Sequence, residues 1–193
     1  MTQALEQRTY TREEYLEFEA ASQERHEYVN GEIRPMTGGT PDHNEIVINL
    51  ATLLKFALRG KPYRIFAADQ RLWIPDRNLY TYPDLMVVAK PLQLQTGRTD
   101  TVTNPCFIAE VLSKSTQDYD HGEKFSAYRT LESFCEYLLI DQYSVRVEHY
   151  VKTAAHQWLL SEFDDLNVRL FLSTLNTQLD IMALYENIDT IMP

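Results

Sequence analysis

The sequence predicts an α/β (α+β) protein, a mixed central sheet flanked by helices. Three observations carry this. Two apolar runs, Tyr82–Val88 and Phe107–Leu112, have strand length and are apolar enough to be covered on both faces. Helical periodicity precedes and follows them. Further strand-like segments come after the second run, so helices and strands mix along the chain rather than separate.

Each element has a local reason. Thr11-Arg12-Glu13-Glu14 forms a capping box leading into a short helix with Tyr15, Leu16 and Phe18. Asn30-Gly31 between the apolar flanks of Tyr28–Ile33 predicts a hairpin. After a turn-rich patch from Thr37 to Pro41, a helix is expected from Asp42 to about Arg59. Its apolar stripe is Ile46, Leu50, Leu53, Leu54 and Ala57, and Gly60 and Pro62 stop it. Tyr63 to Ala67 and Gln70 to Ile74 read as strands, with a turn at Asp76 to Asn78. Asp84 and Glu110 are placed on the next two strands, separated by a polar loop from Lys90 to Pro105. Asp120-His121-Gly122-Glu123 resembles a second capping box, with a helix behind it to about Leu131. A strand at Glu136 to Asp141 follows, then a hairpin of Val145 to Tyr150 with Gln157 to Glu162. The tail, Val168 to Tyr185, is expected to mix a short strand with a terminal helix.

The chain has 193 residues, 44% hydrophobic and 24% charged, which suits one globular domain spanning 1–193. The N-terminal helix and hairpin, about residues 10–36, read as an extension of it. No apolar run reaches membrane-spanning length. The opening MTQALEQRTYTREEY lacks a charged-then-apolar leader layout, so a cytoplasmic location is expected. Cys106 and Cys135 are expected to be reduced, buried small hydrophobes. A net charge of −10 argues against broad electrostatic binding of nucleic acid, while leaving local basic patches open.

The chemistry lies in Asp84 and Glu110. Each is a carboxylate inside an apolar strand, where charge is rare unless partnered. Two on neighbouring strands repel each other, and a divalent cation between them removes both penalties. Strand alternation puts Tyr82, Asp84, Met86 and Val88 on one face, and Ile108, Glu110 and Leu112 on one face of the other strand. Carboxylates, a backbone carbonyl and waters are oxygen donors that Mg²⁺ prefers.

Tyr82-Pro83-Asp84, then Glu110-Val111-Leu112-Ser113-Lys114-Ser115-Thr116, then Asp120 and Lys124-Phe125 with Tyr128 resemble the PD-(D/E)XK nuclease superfamily. The likeness is greatest to bacterial endonuclease-like families of unassigned role whose lysine has migrated to the following helix. It runs over roughly residues 10 to 185 and takes in the hairpin and His43. The resemblance implies a restriction-endonuclease-like domain with an αβββαβ core. It also implies a Mg²⁺- or Mn²⁺-dependent endonuclease that hydrolyses DNA through a metal-activated water. Asp84, Glu110 and the Val111 carbonyl would be metal ligands, with Asp84, Glu110 and Lys124 catalytic. The sequence departs from the superfamily pattern at Leu112, where a lysine is expected. Lys124 replaces it in this reading, because Ala127, Tyr128 and Leu131 share its helical stripe and aim it over the sheet. Lys114 is the rival and is expected to be exposed.

His43 is expected near the site as an auxiliary group, with Asp69 and Glu45 as weaker candidates. His26, His121, His149 and His156 have no zinc-ligand spacing. The twelve tyrosines are read as core rather than as a base-stacking platform. A homodimer would match the two strands of a duplex. The alternative function is a catalytically inactive binding or assembly module that keeps the nuclease fold, as the acidic pI and Leu112 would allow. Lys124 discriminates the two: pointing inward it supports an enzyme, pointing to solvent a module.

Overall fold

The computed structural model describes residues 8–189 and 191. The leader reading rests partly on residues 1–7, which lie outside the described residues, as do the outermost limits of the expected domain. Among the described residues no helix is long and apolar enough to cross a membrane.

Apolar cores cover both faces of a six-stranded sheet. That sheet consists of β3 (Tyr63–Ala67), β6 (Leu85–Ala89), β8 (Pro105–Leu112), β9 (Glu136–Asp141), β10 (Val147–Ala154) and β11 (Gln157–Phe163). Their spatial order is β11-β10-β9-β8-β6-β3. β8 and β9 run parallel, whereas β6 and β8 are antiparallel with Leu85 opposite Ala109. Five further strands, β1 (His26–Val29), β2 (Glu32–Pro35), β4 (Arg71–Ile74), β5 (Leu79–Thr81) and β7 (Thr101–Val102), form a second sheet in the order β2-β1-β5-β4-β7. A two-stranded ribbon, β12 (Arg169–Leu172) with β13 (Thr177–Asp180), completes the set.

Strand alternation decides what each face meets. Leu85, Val87, Phe107, Ala109 and Val111 face α2 (Pro41–Ala57), through its Ile46, Leu50 and Leu54, and the C-terminal ribbon with α5 (Ile181–Leu184). Met86, Val88, Ile108, Leu112 and Leu139 face the second sheet and the helical stretch that carries Phe125 and Tyr128. Fully buried side chains of this kind contribute roughly 1.5–3 kcal/mol each. The outer face of the second sheet presents Tyr28, Trp73 and Tyr80, on which α1 (Arg12–Ala21) docks through Tyr15.

The capping box at Thr11 forms as expected, with Thr11 and Glu14 bonding each other's backbone N–H. The Asn30-Gly31 hairpin also forms, with both residues at positive φ. A Cβ at Gly31 would lie 2.3 Å from the Thr9 side chain, so both the turn and the packing require glycine there. α2 starts one residue earlier than expected, behind an N-cap by Thr40.

Several expectations need correction. Asp84 is not within a strand but at the bend just before β6. Proline at 83 removes a ladder donor, so pairing begins only at Leu85. The polar loop from Lys90 to Pro105 contains a buried strand, β7, paired in parallel with β4. β5 was not anticipated: three residues leave no periodicity to read. Asp120 is not an N-cap. Its backbone is already helical, because the helix starts earlier with α3 (Gln117–Tyr119) and continues through a π-helical segment (Asp120–Lys124) into α4 (Phe125–Tyr128). The helix also ends sooner than expected, at Tyr128 rather than near Leu131. The tail holds two strands rather than one. Cys106 is buried and Cys135 half-buried, and both are free thiols.

Candidate active site

Asp84 and Glu110 meet where the β6–β8 ladder ends, and they tie each other's backbone. Asp84 Oδ2 accepts the Val111 N–H at 2.8 Å, and Glu110 Oε2 accepts the Asp84 N–H at 3.1 Å. Each carboxylate thus stands in for a strand carbonyl that the bend at Pro83-Asp84 removes. This reciprocal clamp gives both side chains one orientation.

The helix supplies the rest. Lys124 Nζ donates to Glu110 Oε1 at 3.2 Å, and Tyr128 donates to the same oxygen at 2.6 Å. The i, i+4 stripe expected from the sequence is therefore real: Lys124 and Tyr128 both descend onto Glu110. Lys124 Nζ also lies 3.1 Å from Asp120 Oδ1 and 3.8 Å from Glu27 Oε1. The Asp120 contact is an ion pair only, since its direction gives that oxygen no hydrogen bond. The rival Lys114 is exposed, above the Tyr143 ring.

His43 enters from the first turn of α2, its Nε2 3.2 Å from Asp84 Oδ2. Gly39 makes room: a Cβ there would lie 2.6 Å from His43 Nδ1. Thr40 caps α2 and also donates to Gln142 at 2.5 Å, and Gln142 in turn donates to the Leu112 carbonyl at 2.7 Å. The start of α2 is thereby locked to the end of β8. The weaker candidates do not join the constellation. Asp69 sits exposed at the rim, paired with Arg25 at 3.0 Å, and Glu45 does not line the cleft.

Sequence reasoning missed Glu27. Its carboxylate accepts from the Thr81 hydroxyl and borders Lys124. The available signal was the one that marked Asp84, an acid inside an aromatic strand (His26-Glu27-Tyr28-Val29). Glu19 was also missed. It is buried and accepts from His26 N at 3.1 Å, His26 Nδ1 at 3.0 Å and Tyr82 OH at 2.8 Å, so α1 holds the residue two places before Asp84. Glu19→Ala strands these donors in the interior. It is expected to lower stability by about 2–4 kcal/mol in urea unfolding. An unchanged unfolding midpoint would refute this anchoring role.

A buried strand carboxylate is not by itself a site, as Glu136 shows. Its oxygens are taken up by His149 at 2.7 Å and by the backbone N–H groups of Ser173 and Thr174 at 2.8 and 3.0 Å. That arrangement fastens the C-terminal ribbon to β9. Glu110 differs because acids surround it.

Four carboxylates, Glu27, Asp84, Glu110 and Asp120, share the single ammonium of Lys124. Their side chains are 8%, 24%, 3% and 3% exposed. Burial pushes the Glu110 carboxyl up, Lys124 pulls it back, and Asp84 and Asp120 push again, leaving it at about 8. Burial would lower Lys124, but Glu110, Glu27 and Asp120 outweigh it and hold the ammonium well above its ordinary range. A simple salt bridge would lower its acid while raising its base. Here both move up: burial, helped by Asp84 and Asp120, outweighs the pull of Lys124 on Glu110, and the surrounding acids outweigh burial at Lys124. Asp84 resists burial through His43, Lys124 and the Val111 N–H and stays below the usual carboxylate range. His43 is raised, burial being overcome by Asp84.

This surplus of hard oxygen donors suits a divalent cation of the Mg²⁺ type. Among the described residues no three His, Cys, Asp or Glu side chains are grouped so that they could hold a metal ion by themselves. Two carboxylates plus a main-chain carbonyl would instead leave coordination positions to water and substrate. The surrounding cleft has a volume of about 540 Å³ and opens onto Asp84, Glu110, Lys124 and His43.

Comparison with known proteins agrees with this architecture. A sequence family described as "Uma2: Putative restriction endonuclease" matches residues 12–182. The chain is similar to "Uncharacterized protein sll1609" of Synechocystis sp. (strain PCC 6803), 43% identical over 160 residues, covering 83% of this chain and 90% of that protein. It is also similar to "Uncharacterized protein slr1290" of the same organism, 34% identical over 176 residues and covering 91% of each. The crystal structure of a "putative nuclease belonging to DUF820" from Anabaena variabilis superposes with a TM-score of 0.73 at 16% identity, over 90% of this chain and 96% of that one. That likeness bears on the fold. With the family match spanning residues 12–182 and the fold shared with a nuclease, the chain belongs to the Uma2 family and has a restriction-endonuclease-like fold.

Proposed function

We propose that this protein is a Mg²⁺- or Mn²⁺-dependent endonuclease that hydrolyses DNA phosphodiester bonds by a metal-activated water, working as one domain. The observation that carries the reading is the buried lysine: Lys124 Nζ lies 3.2 Å from Glu110 at the floor of an acidic cleft, on the helix that follows the strand. Asp84, Glu110 and the Val111 carbonyl would hold the ion. When bound, it would polarise a phosphoryl oxygen and lower the pKa of the attacking water.

The protein groups have separate tasks. The reciprocal clamp holds the Asp84 and Glu110 carboxylates in place before anything binds. Lys124, kept cationic by its acidic neighbours, offers charge to an oxygen on which negative charge develops. Tyr128 fixes the Glu110 carboxylate by its hydrogen bond. His43 holds Asp84 on the solvent side and can take up or release a proton at Nε2. An inactive module has no use for an ammonium buried among carboxylates, which supports the enzyme over the alternative.

The test is cleavage of single-stranded, nicked, branched and duplex DNA under Mg²⁺ or Mn²⁺ titration, by wild type and Asp84→Asn. The amide retains an acceptor for the Val111 N–H, so the variant should fold. Metal affinity is expected to fall at least as much as the roughly 10–100-fold that losing an outer-shell partner costs, and cleavage with it. If no DNA form is cut and metal binding is the same in both proteins, the reading is wrong.

A further inference from the structure

We infer that the groove on the far side of Tyr119 from the carboxylates is a second subsite, built to hold the phosphodiester backbone flanking the bond that is cut. This rests on the nuclease reading and adds where the rest of the strand lies.

The cleft itself cannot hold a polyanion. Six carboxylates line it against Arg25, Lys124 and His43. A cation between Asp84 and Glu110 would relieve charge at one phosphate only. The neighbouring phosphates need their own partners, since backbone neutralisation supplies most nucleic-acid affinity.

The adjoining groove has the opposite balance, unusual in a chain of net charge −10. It is about 750 Å³ in volume and is lined by Arg8, Arg34 and Arg77 against Glu32 and Glu123. Arg77 donates to the Ser126 hydroxyl at 3.2 Å and makes no ion pair among the described residues. Arg8 pairs with Glu14 at 3.4 Å, with side chains 70% and 45% exposed. A contact of that kind is worth little and readily exchanges for a phosphate. Glu32 accepts from Arg34 Nε and Nη2 at 2.9 and 2.7 Å, which holds that guanidinium in a fixed orientation at the groove wall.

The two cavities share one wall. Tyr119 lines both, and Lys124 Nζ lies 5.5 Å from its ring centroid. A strand whose scissile phosphate sits over Asp84 and Glu110 would cross Tyr119 and reach Arg34, Arg77 and Arg8. The asparagine-glycine hairpin forms the groove's outer edge, which gives the N-terminal extension a role in substrate binding.

The experiment is fluorescence anisotropy of a labelled duplex with the full chain in EDTA, so that no cleavage or metal binding intervenes. Wild type is compared with Arg77→Glu, with Arg8→Glu/Arg77→Glu, and with the remote Arg169→Glu, which matches the net-charge change of the single variant. Arg8 and Arg77 anchor no core group, and thermal melting checks that each variant folds. The double variant is expected to bind roughly tenfold more weakly, with a slope of log affinity against log salt shallower by about 2 than wild type; Arg169→Glu should keep the wild-type slope. Unchanged affinity and slope in the folded double variant would overturn the subsite, as would equal losses in Arg169→Glu. Cleavage with arginine-independent binding would overturn this inference alone. Arginine-dependent binding without cleavage in any metal would instead overturn the nuclease reading and leave the subsite standing.

Discussion

Lys124→Met is expected to abolish cleavage and to destabilise the metal-free protein together. The methionine fills the aliphatic path of the lysine but leaves Glu27, Glu110 and Asp120 without the cation they share. Removing one partner of a buried ion pair costs about 3–5 kcal/mol, because the remaining charge stays buried. Loss of a preorganised charge at the reacting centre costs roughly 10²–10³ in rate. Calorimetric melting in EDTA checks the first effect and metal-dependent cleavage the second. The two should separate on adding Mg²⁺: the ion replaces part of the missing charge, so stability recovers while cleavage does not. A variant as stable as wild type in EDTA would mean that the four carboxylates do not depend on Lys124.

Glu110→Gln is expected to act in the opposite sense on stability. Glu110 is neutral below its unfolded value of 4.5 in both folded and unfolded chains. Between 4.5 and about 8 the unfolded chain has released this proton and the folded one still holds it. The folded state therefore binds more protons, and its stability falls as pH rises through that window. Above it the penalty is complete. Glutamine cannot ionise, so metal-free Glu110→Gln should lose stability less steeply between pH 5 and 9, by about one proton's worth of slope. It gives up one hydrogen bond, since an amide nitrogen cannot accept the Asp84 N–H, at about 1 kcal/mol. Activity and metal-induced stabilisation should both be lost. Melting curves across pH in EDTA check this, and parallel profiles for the two proteins would refute the assignment. A residue whose removal relieves the apo protein but disables it is one kept for function.

Much of this site was legible because burial makes charge conspicuous. Asp84 and Glu110 are acids in apolar runs, and Lys124 sits on a stripe with Tyr128 that points inward. The same signal misleads at Glu136, which is no less buried but fully occupied by His149 and the 173–174 backbone. Periodicity cannot tell these two glutamates apart, because the difference lies in what packs against them from distant segments. Glu27 stayed hidden for the same reason. It reaches Lys124 only because β1 pairs with β5, a three-residue strand that leaves almost no trace in the sequence.

By itself the sequence determined the elements whose causes are local: the Thr11 capping box, the Asn30-Gly31 hairpin, the stripe of α2, the buried runs around Asp84 and Glu110, and the inward face of Lys124. These follow from hydrogen bonds and periodicities within a few residues. Tertiary structure alone decided that four carboxylates share one ammonium, that His43 reaches Asp84 through the space left by Gly39, and that Tyr119 divides an acidic cleft from an arginine-lined groove. Those are sums of charge and exclusions of volume over segments far apart in the chain, and they exist only once the sheets have closed on each other.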